Sequence, residues 1–371
     1  MKIDTLLAGL DAVSDGAGGL VPPLRLAVTH AAQPGAPASG YARSGAEGET
    51  LLETILARLD GAATALAFAS GASAALAALA LVPPGREVLL EAEGYYEFRG
   101  ILARATALRG LSLRLVDMTD LEAVAGMLSS GRTGLVWAEF PGNPLWQVPD
   151  LPRLSGLAHQ AGALLLVDAT AATPHHIRPL SLGADVALHS ATKFLNGHGD
   201  VLAGALALAE SAARPALMQH RTDTGTTLAP FGEWLLLRGL RTFVLRMERA
   251  SATAARLAGW LADRGLQVHY PGLPDHPQHA LACAQYTNGF GPVLSFRMGS
   301  AARADAVVAA VQVFRRATSL GSTESLIERR AETEGAGTRC PEDLIRLSIG
   351  LEAAEDLIGD LQGALDTLPK G

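Results

Sequence analysis

The stretch Leu164-Leu165-Leu166-Val167-Asp168 sets four consecutive apolar residues before an acid. A strand with one wet face alternates polar and apolar side chains, but this one offers no polar face until it ends. It therefore predicts a parallel strand buried on both sides, in a sheet covered by helices, with a functional side chain at the carboxyl end. Residues 65–69, 87–90, 135–140, 186–188 and 201–208 read as further strands. Between them, residues 49–59 and 74–81 carry helical periodicity, and residues 153–162 supply a crossover helix before the Asp168 strand. The fold class that follows is α/β, with a mainly parallel sheet in a large domain.

Residues at the ends of these strands carry the chemistry. The segment His189-Ser190-Ala191-Thr192-Lys193 follows the 186–188 strand, so two hydroxyls and an amine emerge where that strand stops. An amine condenses with an aldehyde only when unprotonated, and desolvation or nearby positive charge favours that state. The flanks of Lys193 are apolar, and its nearest carboxylates in sequence are Asp185 and Asp200. Ser190 and Thr192 are placed to hold a phosphate. An acid ending one strand, a lysine past the end of the next and hydroxyls beside it match the parts list of pyridoxal phosphate (PLP) enzymes. There the lysine bonds the cofactor aldehyde and the acid pairs with the ring nitrogen.

A longer ordered set of motifs carries a family resemblance. Val167-Asp168-Ala169-Thr170, Arg178-Pro179-Leu180, Leu182-Gly183-Ala184-Asp185, His189 to Lys193 and Gly197-His198 resemble the signature of the Cys/Met-metabolism (trans-sulfuration) enzymes. The likeness continues through residues 235–242 and 344–352, and so covers most of the chain from Tyr41 onward. The family includes cystathionine γ-synthase, the cystathionine β- and γ-lyases and methionine γ-lyase. It implies PLP fold type I: a large domain with a seven-stranded-type sheet and a smaller α/β C-terminal domain.

The resemblance also implies roles. The turn Ser70-Gly71-Ala72-Ser73 opens a helix, which makes it an anion site by itself; in the family, the amides here of Gly71 and Ala72 hold the cofactor phosphate. Tyr41-Ala42-Arg43 resembles the Tyr-x-Arg whose side chains reach the phosphate in a partner protomer. The Asn-Pro-Thr that usually follows is replaced by Ala46-Glu47-Gly48. Of the adjacent tyrosines beyond residues 87–90, one stacks on the pyridine ring; an arginine four positions on, Arg99, favours Tyr95, and Tyr96-Glu97 resembles one lyase branch. In Glu139-Phe140-Pro141-Gly142-Asn143-Pro144, Asn143 is a rigid amide at a strand edge, suited to the cofactor's phenolic oxygen or the substrate carboxylate. Arg346, flanked by apolar residues within a strand, is the candidate cation for a substrate α-carboxylate. Ser319-Leu320-Gly321 resembles a substrate-side Ser-Leu-Gly. Thr318, just before it, takes the place of the usual acid, and residues 332–337 replace a usual Met-Thr-His.

The expected activity is PLP-dependent β- or γ-elimination on cystathionine or a related thioether amino acid. The alternatives are γ-replacement on an acylated homoserine and a cofactor-free binding relative. Lys193 and Tyr95 are the expected catalytic residues, and the site is expected to be shared between the subunits of a homodimer or homotetramer. A net charge of −7 and a pI near 5.8 argue against a nucleic-acid partner. The doublet Arg329-Arg330 reads as a solvated helix face. Only two cysteines occur, Cys283 and Cys340, so a reduced, cytoplasmic setting is expected. His175-His176 and the group His269, His276 and His279 lack the spacing and companions of a metal site. The N-terminus lacks the pattern of a signal peptide. Residues 62–82 are uncharged over a membrane-spanning length, but Ser70-Gly71 divides them into strand, turn and helix. The expected divisions are an N-terminal arm at 1–44, a PLP-binding domain at 45–230 and a C-terminal domain at 231–371, the last joined through a long helix or helix pair over 231–265.

Overall fold

The computed structural model describes residues 2–10, 19–31, 41–44, 47–129 and 131–368. Residues 16–18 and 34–37 of the expected arm, and Ala46 of the altered motif, lie outside them. A short helix, Ile3–Gly9, forms near the start.

Seven strands build the larger sheet: β1 (Thr64–Phe68), β2 (Glu87–Glu91), β3 (Ser112–Val116), β4 (Thr133–Glu139), β5 (Leu164–Asp168), β6 (Val186–His189) and β7 (Gly204–Leu208). Their order is β1-β7-β6-β5-β4-β2-β3, and only β7 runs against its neighbours. The all-apolar runs sit in the middle because both faces there are covered: one packs the Leu66, Leu90 and Leu166 cluster, the other the Leu89, Val136 and Leu165 cluster. Residues 62–82 form β1, the helix Gly71–Ala78 and a single 3-10 turn. Among the described residues, no helix is long and apolar enough to cross a membrane.

The structure adds one strand and helix, shortens one expected strand and selects one of two stated alternatives. The edge strand β3 and the following helix Leu121–Met127 carry no long apolar run to announce them; β3 exposes Ser112, Arg114 and Leu115. The strand expected over 201–208 starts only at Gly204. Thr192 takes both backbone groups of Ala203, its hydroxyl donating to the carbonyl at 3.1 Å and accepting from the amide at 2.9 Å. The segment over 231–265 is a helix pair, Pro230–Leu240 and Phe243–Ala262. At the break, the Arg246 guanidinium donates to the carbonyls of Gly239, Phe194 and Leu195, which ties the corner to the segment following Lys193.

The helix Phe243–Ala262 serves two cores. Phe243 and Met247 pack with Leu52, Leu56 and Leu236, while Ala254, Leu257 and Leu261 pack into the second sheet's cluster. That sheet contains β8 (Val268–His269), β9 (Val293–Arg297), β10 (Arg315–Arg316), β11 (Leu326–Arg329) and β12 (Leu344–Ser348), in the order β10-β11-β12-β9-β8. It presents Arg346 on β12 and Glu328 on β11 as register partners.

Candidate active site

Because β1, β2, β4, β5 and β6 point the same way, the segments leaving them emerge along one edge of the larger sheet, where open α/β sheets bind ligands. The antiparallel β7 enters from that edge and brings Leu202 to it. A cavity of about 300 Å³ opens there, closed on its other side by residues 318–320, Arg330 and Arg346. Of the residues singled out in the sequence, Gly71, Ala72, Tyr95, Asn143, Asp168, Ser190, Thr192, Lys193, Ser319 and Arg346 all line it. Tyr41 and Arg43 do not. They lie exposed at the surface, with the Arg43 guanidinium 5.5 Å from the Tyr41 ring and its Nη1 donating to Thr222 O at 3.4 Å.

The helix Gly71–Ala78 starts with a capping box: Ser70 accepts from the Ser73 amide and Ser73 accepts from the Ser70 amide. A Cβ at position 71 would stand 2.9 Å from both Cβ and Oγ of Ser190, so a glycine is needed for this approach. Ser190 is fixed in turn by its amide, which donates to Thr170 Oγ1 at 2.8 Å. Thr192 faces the cavity, but its hydroxyl proton is committed to Ala203 O.

Asp168, ending β5, is buried, and its register partner Glu139, which ends β4, is half-buried. Burial pushes the Asp168 carboxyl above its ordinary value, while hydrogen bonds from Thr170 pull the other way. Burial and then the Asp168 charge push Glu139 well up, and its Oε2 accepts the Tyr95 amide at 2.6 Å. Behind Asp168, the buried His189 ring bonds Asp60 at 3.0 Å. Burial alone would lower the His189 pKa; Asp60 overrides it and holds the value up.

Lys193 Nζ donates to Ser319 Oγ at 2.5 Å. Burial first, and then the Arg346 charge, lower its pKa, so it loses its proton more readily than a surface lysine. The loop carrying Ser319 is pressed onto the lysine backbone: a Cβ at Gly321, whose φ is +84°, would lie 2.5 Å from Phe194 N. Ser319 itself holds a φ of 99°, a left-handed conformation that a non-glycine residue adopts at a cost. Arg346 is anchored by Asn143 Oδ1 at 3.0 Å, by Ser319 O at 3.0 Å and by Glu328. Burial pushes its pKa down to about 10.

Several lining residues escaped the sequence analysis. Arg330 is one of the largest fully buried side chains, not part of a solvated face, because Glu328 and Glu334 fold onto it. Glu97 accepts from the hydroxyls of both Tyr95 and Tyr96. Thr170 and Leu202 also contribute. The only signal for Arg330 was a carboxylate two residues before it and another four after, a spacing common on wet helices.

The residues fit PLP in three respects. A close-approach glycine leads the first turn of a helix at the cavity. A buried carboxyl with raised pKa awaits a cationic neighbour, as a protonated ring nitrogen would be. A lysine of lowered pKa faces the same space. The family model of the Cys/Met metabolism PLP-dependent enzymes matches residues 22–366. The chain belongs to that family. Among curated relatives of these enzymes, the chain is 38% identical over 381 residues to a chloroplastic cystathionine beta-lyase of Arabidopsis thaliana, an alignment covering 99% of this chain and 82% of the relative. It is 40% identical over 334 residues to a cystathionine gamma-synthase of Mycobacterium bovis, covering 88% and 86%. A crystal structure of a methionine gamma lyase from Micromonospora echinospora superposes with a TM-score of 0.92 at 38% identity, covering 98% of this chain and 99% of that one.

Proposed function

We propose that the protein is a PLP-dependent carbon–sulfur lyase that performs β- or γ-elimination on cystathionine or a related thioether amino acid. The observation that carries this is Lys193, of lowered pKa and half-buried, hydrogen-bonded to the loop that also anchors Arg346. Gly71, Ala72 and Ser190 would hold the cofactor phosphate, Asp168 its ring nitrogen, Tyr95 its ring face and Lys193 its aldehyde carbon. When bound, PLP supplies an electron sink conjugated to the substrate Cα.

Arg346 binds the substrate α-carboxylate and so sets which Cα bond faces Lys193. Lys193, unprotonated, takes the Cα proton. Tyr95, whose hydroxyl is held protonated by burial and its bond to Glu97, offers a proton to the departing sulfur. In β-elimination the C–S bond then breaks; in γ-elimination Lys193, freed of the first proton, must also take a proton from Cβ before it breaks; in either case the leaving group departs as a thiol.

The proposal includes a homo-oligomer, dimer or tetramer, with Tyr41 and Arg43 serving a neighbour's site. The outward position of both residues supports it, as do Leu20 and Leu26, 88% and 66% exposed in the segment of the expected arm before them. A cytoplasmic setting is supported by the free thiols of Cys283 and Cys340.

Incubation with L-cystathionine tests the activity. Pyruvate with homocysteine marks β-elimination, and 2-oxobutyrate with cysteine marks γ-elimination. The second reading, a γ-synthase, is favoured by the 40% identity to the mycobacterial relative. Absence of both keto acids, with cystathionine formed from an acylated homoserine and cysteine, overturns the lyase in its favour. A visible band bleached by borohydride, with the reduced adduct on Lys193, tests the cofactor assignment separately.

A further inference from the structure

Arg330 has a donor that the chain leaves unused. Its Nε donates to Glu334 at 3.0 Å and its Nη1 to Glu328 at 3.2 Å, while Cζ lies 5.1 Å from the centre of the Tyr96 ring. Nη2 is buried with no hydrogen-bond partner among the described residues. A buried guanidinium N–H without an acceptor is costly, and a carboxylate is the acceptor its planar fork fits best. Arg330 lines the same cavity as Lys193. It shares Glu328 with Arg346, but only Arg346 is tied to Ser319 and through it to the lysine. Arg330 sits instead against the ring of Tyr96, whose hydroxyl bonds the exposed Glu97. Glu97 is a carboxylate suited to an ammonium group.

We infer that Arg330 is a specificity-determining residue for a carboxylate at the far end of the substrate's side chain, with Glu97, at the Tyr96 hydroxyl, receiving an ammonium. The cavity then selects a thioether that carries an amino-acid group at both ends over an uncharged one. This rests on the lyase proposal and deepens it.

The test uses the holoenzyme and two matched thioethers, S-(2-carboxyethyl)-L-cysteine and S-propyl-L-cysteine, or the homocysteine pair if the products show γ-elimination. The wild type is expected to favour the carboxylate-ended member by roughly 10- to 100-fold in kcat/KM, as one charged hydrogen bond allows. In Arg330→Met that ratio falls toward one, mainly through KM, and Arg330→Lys recovers part of it. A ratio near one in the wild type overturns the inference whether or not the variant folds. So does an unchanged ratio in a folded Arg330→Met, which would make Arg330 a structural ion pair alone. If the wild type turns over no thioether, the lyase proposal fails. The inference is then judged on the binding ratio of the same pair, read from the holoenzyme's visible absorbance.

Discussion

Gly71→Ala isolates the phosphate cradle by steric means alone, because the glycine's backbone is not in the left-handed region and an alanine there carries no torsional penalty. The new methyl would stand 2.9 Å from Ser190 Cβ and Oγ and 3.2 Å from Ser190 Cα. Carbon atoms settle at about 3.5–4.0 Å, so either the helix start or Ser190 must move by roughly 0.6–1 Å. Misplacement of about 1 Å in a positioning site costs on the order of 100-fold, or about 2.8 kcal/mol. Titrating the apoenzyme with PLP and following its visible band should therefore show a Kd raised by roughly that factor. Ser190→Gly removes both of the 2.9 Å contacts and costs one charged hydrogen bond, about 10- to 100-fold by itself. The double variant should bind PLP nearly as well as Ser190→Gly alone, since only the milder 3.2 Å approach to the backbone Cα remains. If the two losses multiply, or if Gly71→Ala binds PLP normally, then the close approach of these segments does not form the cradle.

Three other outcomes follow from the same geometry. Burial raises Glu91 from 4.5 to about 7, so its folded pKa lies above the unfolded value; its contribution is full below pH 4.5 and is lost as pH rises through 7, about 3 kcal/mol in all. Denaturant melts from pH 5 to 8.5 should show a shallower decline for Glu91→Gln, and equal slopes would remove Glu91 as the cause. Arg346→Lys gives up the fork that bonds Asn143 and Ser319 together, and should raise KM for L-cystathionine by roughly 10- to 100-fold with the cofactor band intact. Arg43→Ala should weaken PLP binding in the oligomer, although Arg43 lines no part of its own chain's cavity; light scattering that finds an active monomer would remove the shared-site proposal.

What the sequence determined by itself is the part of the site that hangs on strand ends. Uninterrupted apolar runs fix buried parallel strands, and polar residues at or just past their ends, Asp168, Asn143 and Ser190 through Lys193, must fall on one sheet edge. The period of the backbone places them before any long-range contact is known. Edge strand β3 was not legible, because three of its five side chains are exposed and leave no run to read. The pair from the second sheet was only half legible. Arg346 stood out as a cation among apolar neighbours, whereas Arg330 looked like any charged doublet on a wet helix. Its burial depends on Glu328 and Glu334 closing over it, and its place near Lys193 depends on β11 and β12 meeting the edge of the other sheet. Only the tertiary structure decides this burial, because burying a charge is favourable only when its counter-charges are buried with it, and it is the packing of the second sheet against the first that takes all three from water.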